Sequence, residues 1–154
     1  MKIAFFAALL AWVPMVASAL SCRRPSVEAS FTEVQKDSAQ FVVVRGQLDF
    51  AQHQVQTNVK KTQRIKAHLN GASWSRKGFA TAYRKQVTLE LTCVGQWCGS
   101  AQSGSDVIAF VELGAQGNVI SVGPCGGRLF AKPTPKMVRA VEQCFAGKAC
   151  TPSR

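Results

Sequence analysis

The six cysteines and a run of lysines and arginines are the side chains of this sequence best placed to do chemistry. Cys22, Cys93, Cys98, Cys125, Cys144 and Cys150 are even in number, and an even set in an exported chain reads as disulfides. Spacing favours Cys93–Cys98 and Cys144–Cys150 as local loops. That leaves Cys22–Cys125 to tie the N-terminus to the last third of the chain. Oxidised cysteines are poor nucleophiles. They also lack a paired C-x-x-C spacing, and only His53 and His68 could join them, so neither a metal nor any other cofactor is expected.

The cations are the second signal. The chain carries 19 Lys and Arg against 8 Asp and Glu, a formal charge of +11. A balance this basic attracts anionic lipid headgroups, acidic glycans, nucleic acid or acidic proteins. Between Val55 and Leu69 the residues alternate as in a long strand with one exposed side. On that reading Lys60, Arg64 and Lys66 form a stripe with Lys61 opposite. Alternate strand residues lie about 6.6 Å apart, a spacing that suits successive anionic groups. Arg76-Lys77 and Arg84-Lys85 extend the positive charge around Trp74, Phe79 and Tyr83, the aromatic-and-cation mixture by which oligonucleotide/oligosaccharide-binding (OB) barrels hold polymers. Trp97 sits inside the small Cys93–Cys98 loop, either as a recognition tip or folded over the end of a barrel.

No catalytic set emerges. The carboxylates form no paired motif, and G-x-S-x-G, H-E-x-x-H and P-loop patterns are absent. The expectation is a protein that is not an enzyme and has no catalytic residues.

These side chains depend on export and on a scaffold. Lys2, the apolar run from Ile3 to Val13, Pro14 and the small residues Ala17-Ser18-Ala19 read as a signal peptide over residues 1–19. Cleavage after Ala19 leaves a single domain over residues 20–154, about 135 residues long. Cleavage after Ser21 would instead make Cys22 the first residue. Ala19-Leu20-Ser21-Cys22 also loosely resembles a bacterial lipobox, which would lipidate Cys22. No later segment is apolar for long enough to span a membrane. The short n-region, the small disulfide loops and the lack of an N-x-S/T sequon favour a bacterial periplasm over a eukaryotic secretory route.

For the scaffold, Ser26 caps a short helix over Val27 to Gln35 with Val27, Phe31 and Val34 on one face. Phe41-Val42-Val43-Val44 reads as a buried strand continuing through Leu48 and Phe50, with Gly46 at a bend. Asn70-Gly71 reads as a turn. Val87 to Cys93 alternates as a strand, and Val107–Leu113 with Val119–Val122 forms a hairpin. Thr134 and Pro135 open a C-terminal helix that presents Met137, Val141 and Cys144 on one face and ends near Gly147. The expected class is mainly β: an OB-like Greek-key barrel of five to six strands, with a short N-terminal helix and a disulfide-tied C-terminal helix.

That order of features resembles the netrin-like fold of the tissue inhibitors of metalloproteinases. The matching residues are Cys22 with Pro25, the helix, Phe41-Val42-Val43-Val44-Arg45-Gly46 and Ile65-Lys66-Ala67-His68-Leu69-Asn70-Gly71. Trp97-Cys98-Gly99, Cys125 and the closing helix follow. The resemblance implies an inhibitory N-terminus, in which the α-amino group and carbonyl of a first-residue Cys22 would ligate the catalytic zinc of a metalloprotease. The inhibitors carry Cys-x-Cys at this point, whereas this chain has Cys22-Arg23-Arg24. The leading expectation is an exported, monomeric, non-catalytic binding module for a protein or an anionic glycan or lipid surface; the metalloprotease inhibitor is the alternative and a structural envelope protein the second alternative. Nucleic acid is disfavoured by export.

Overall fold

The computed structural model describes residues 21–56, 59–148 and 150–151. The signal peptide reading falls on residues outside these.

Strand β1, Gln40–Phe50, explains how the chain is layered. Its even-numbered residues Val44 and Leu48 lie in one apolar cluster and Val43 in another. A strand covered on both faces needs apolar residues at every position, which is why Phe41 to Val44 do not alternate. The partners of β1 are β2, Gln63–Ser75, and β6, Ser105–Gly114, both antiparallel. Strand β3, Gly78–Leu91, pairs with β2 along its length and runs parallel to β7, Gly117–Gly123. β6 and β7 pair in turn. The ring β1-β2-β3-β7-β6 therefore closes on itself, a five-stranded OB-like Greek-key barrel. Short strands β4 (Cys93–Val94) and β5 (Trp97–Cys98) make a separate hairpin. β8 (Gly126–Gly127) and β9 (Leu129–Ala131) extend the main sheet at its edges.

The barrel interior is filled by Leu48, Ile65, Leu69, Leu89, Leu91, Val107 and Ile120, among others. Each such side chain contributes about 1.5–3 kcal/mol by leaving water. Helix α1, Val27–Lys36, and helix α2, Pro135–Phe145, cover the outside of β1 and β6. Ser26 accepts a hydrogen bond from Ala29 at the start of α1, and Thr134 accepts one from Met137 at the start of α2. Val27, Phe31 and Val34 meet Val43, Ile108, Phe110, Phe130, Ala140 and Val141 in this second core. Arg128 fastens α1 to the sheet. Its guanidinium is shared among Glu33, Asp37 and Glu112 and lies 4.7 Å from the Phe41 ring.

Two sequence expectations are corrected here. The stretch from Val55 is not one long strand: residues 52–54 form a 3-10 turn carrying His53, and β2 starts only at Gln63. Asn70-Gly71 is not a turn but lies within β2, opposite Gln47 and Gly46. A Cβ on Gly71 would sit 2.1 Å from the Arg45 carbonyl oxygen, and one on Gly46 would sit 2.2 Å from that of Asn70. The two glycines let β1 and β2 cross closely. The glycine at residue 71 thus serves backbone contact, and its neighbour Asn70 supplies a misleading turn signature. The real reversal is at Arg76-Lys77, where Ser75 accepts from the Lys77 amide and Gly78 takes φ +84.

Candidate functional site

Antiparallel pairing brings distant loops to one end of the barrel. Gln63, the first residue of β2, pairs with Leu91, the last of β3, and Leu91 pairs with Val122 near the end of β7. Leu48, near the end of β1, pairs with Ser105, the first residue of β6. The segments 51–56, 59–62, 92–104 and 123–125 therefore share one pole. Cys22 joins it through its disulfide to Cys125, with Cα atoms 5.3 Å apart. The other two bridges are Cys93–Cys98 and Cys144–Cys150, the pairing that spacing favours. With its sulfur held by Cys125, Cys22 has no thiol to carry a lipid, which removes the lipobox reading. The third bridge lies elsewhere, with Cys150 packed on α1 against Glu28 and Thr32.

The pole is braced by hydrogen bonds. Gln63 clamps Gln56 by two bonds of 2.8 Å. The Phe50 amide donates to Ser103 Oγ, and the Ser103 amide donates to Gln52 Oε1. The Cys93–Cys98 hairpin is seated by Thr92 N–H to Val122 O at 2.9 Å and Gly99 N–H to Thr92 O at 2.8 Å. A Cβ on Gly99 would lie 1.9 Å from the Val122 carbonyl oxygen, so the hairpin base rests directly on β7.

Gly95, φ +59, leads the two-residue turn of this hairpin, where a positive φ matches strand twist. Cys93 faces Cys98 and Val94 faces Trp97 across the pair. Successive strand residues point to opposite faces, so the disulfide and the Val94–Trp97 pair lie on opposite sides. The disulfide side faces the protein, with the Cys98 sulfur 3.3 Å from the Val59 carbonyl oxygen. Val94 and Trp97 face water, 55% and 38% exposed. Trp97 is thus a surface tip, not a lid on the barrel.

The same contact at Val59 sets Lys60 and Lys61 beside the hairpin. Both are exposed, as are Arg23 and Arg24 next to Cys22. No Asp or Glu occurs in 21–25, 51–62, 92–104 or 123–125. Among the described residues, none of the four cations is in an ion pair.

The expected stripe is therefore divided. Lys60 and Lys61 precede β2 and belong to the pole, whereas Arg64 and Lys66 are on the outer face of β2. Arg64 is held by Glu90, which also accepts from Ser121. The aromatics near the stripe are not an open stacking platform. Trp74 packs edge-on to Phe79 and stacks at 5.0 Å on Phe145 of α2. Tyr83 is inside the barrel core, its hydroxyl accepting from Asn118 at 3.2 Å. Burial raises the Tyr83 hydroxyl above its ordinary value, and the Asn118 bond works weakly against this. Cys22 is exposed at the pole, next to Arg23 and Arg24 in the chain.

Sequence reading missed that Arg23-Arg24, Lys60-Lys61 and Trp97 belong to the same pole, because only the Cys22–Cys125 bridge and the barrel register bring their segments to that end. It also missed an open groove of about 810 Å³ over the Gly46–Gly71 crossing, lined in part by Arg45, Ala72, Phe79, Asp106 and Lys132. Lys132, at φ +52, is the one non-glycine residue with positive φ among the described residues.

No protein-family model matches the chain, and no curated protein or solved structure matches it. Among the described residues, no helix is long and apolar enough to cross a membrane.

Proposed function

We propose that this protein is an exported, disulfide-stapled, non-catalytic binding module whose basic pole recognises an anionic partner outside the cytoplasm. The observation that carries this reading is the charge asymmetry of the pole. Arg23, Arg24, Lys60 and Lys61 stand in loops that contain no carboxylate, in a chain that has 8 of them. Unpaired cations on a braced surface lose little flexibility on binding and attract anions over about a Debye length. Three disulfides suit an oxidising compartment.

Binding to acidic polysaccharide and to anionic lipid, followed across a salt series, tests the reading. The variant K60Q/K61Q should weaken binding strongly. The variant R76Q/K77Q makes the same charge change at the opposite end of the β2–β3 hairpin and should leave binding within about twofold. Equal weakening by both variants would reduce the effect to net charge and refute the pole.

A second reading, that of a metalloprotease inhibitor of the netrin-like type, is favoured by one observation. Cys22 is exposed and tied by a disulfide to the barrel pole. N-terminal sequencing of the mature protein tests it. A chain beginning at Leu20 has no free α-amino group on Cys22 and cannot chelate zinc there; a chain beginning at Cys22 that inhibits a zinc protease supports it.

A further inference from the structure

We propose that the anionic partner is a phospholipid bilayer surface, which the pole meets by sinking the Val94–Trp97 pair into the headgroup boundary while the four cations engage the headgroups. This rests on the reading of the basic pole and adds the class of partner.

A ligand held by charge alone has no use for an exposed apolar pair. Yet Val94 is 55% and Trp97 38% exposed at the tip of the hairpin. The alternation of the hairpin turns them away from the disulfide and the protein body. Trp is the side chain that best tolerates the water–lipid boundary, having a large apolar ring with one polar N–H. Lys and Arg beside it have long apolar stems that lie along acyl chains while the charge stays among headgroups. Lys60 and Lys61 flank the hairpin through the Val59 contact with Cys98. Arg23 and Arg24 stand on the same pole through the Cys22–Cys125 bridge.

Rigidity is the second requirement. Interfacial attachment through two side chains leaves little free energy for ordering a loop. Here the loop is already ordered by Cys93–Cys98, by Thr92 and Gly99 against Val122, and by Gly95 in its turn. The pole segments themselves hold no carboxylate, which lowers repulsion from anionic headgroups; Asp49 and Asp106 stand at the adjoining ends of β1 and β6. An acidic polysaccharide would satisfy the cations equally well but would leave Val94 and Trp97 in water.

The test uses Trp97 as its own reporter. Trp74 is the other tryptophan among the described residues, and Trp74→Phe leaves Trp97 as the reporter in the chain processed at either site. The variant is mixed with phosphatidylglycerol–phosphatidylcholine vesicles, phosphatidylcholine vesicles and a soluble acidic polysaccharide. Supporting results are a blue shift of Trp97 emission on the anionic vesicles only, quenching by brominated acyl chains, and release by salt. K60Q/K61Q should weaken vesicle binding by roughly 30-fold, at about fivefold per charge. Trp97→Ala in the otherwise native chain should weaken it by about tenfold or more, and its exposure makes loss of folding an unsuitable explanation.

Salt-sensitive binding to the polysaccharide with no binding to vesicles would overturn the lipid proposal and leave the basic pole standing. Vesicle binding with Trp97 emission unchanged would overturn it as well. No binding to any of the three would overturn both.

Discussion

Removing the Cys22–Cys125 bridge as the pair C22A/C125A should be the most destabilising of the three disulfide deletions. The bridge spans 103 residues, against 5 for Cys93–Cys98 and 6 for Cys144–Cys150. In the chain-entropy account the unfolded chain loses freedom as the logarithm of loop length. A loop of about 100 residues is then worth about 4.7 kcal/mol and one of about six residues about 2 kcal/mol. The longer value is a third or more of the stability of an ordinary domain. Replacing both partners avoids a free thiol and leaves only small voids, since Cys22 is exposed and Cys125 half-buried. Guanidinium unfolding of the non-reduced protein, followed by far-ultraviolet circular dichroism, gives the measurement. C22A/C125A should lose about 2–3 kcal/mol more than C93A/C98A, with the same slope against denaturant. If C93A/C98A costs as much as C22A/C125A, loop length is not what stabilises this fold, and the long bridge serves only to position Arg23 and Arg24.

The glycine crossing and the buried phenol give two more predictions. Gly71→Ala places a Cβ 2.1 Å from the Arg45 carbonyl oxygen and 2.5 Å from the Gly46 Cα, so β1 and β2 must separate and lose ladder bonds, at a cost of about 3 kcal/mol. Gly114→Ala, with its nearest contact at 3.1 Å, should stay within about 1 kcal/mol in the same unfolding assay; equal losses would refute the close crossing. The folded state holds the Tyr83 proton more tightly than the unfolded chain, whose phenol titrates at 10.0. The stability from this difference is complete below that value and is lost as pH rises above it through the higher folded-state value. Unfolding midpoints measured from about pH 9 to 11 should therefore fall more steeply for the native chain than for Tyr83→Phe, and parallel curves would refute the buried titration.

Local chemistry determined much of this protein from its sequence. The caps at Ser26 and Thr134 use bonds to residues three away, and the spacing of Val27, Phe31 and Val34 follows the helical repeat. The strands around Val43, Leu89 and Phe110 follow from β-branched and apolar runs. Spacing favoured the disulfide pairing found here but left it one of 15 possible for six cysteines; the fold selects it by setting each pair of Cα atoms 4.0–5.3 Å apart. Local chemistry misled at Asn70-Gly71, where a turn signature stands in mid-strand because Gly46, 25 positions earlier, demands close approach. It also misled on the cations, since period-two patterning from Val55 to Leu69 put Lys60 and Arg64 on one strand, while the chain begins β2 only at Gln63. The sequence by itself determined that the chain would be basic, bridged and mainly β. Only the tertiary structure decided which cations share a pole, because the barrel register gathers the ends of β1, β3 and β7 and the starts of β2 and β6 at one end, a placement no local pattern encodes.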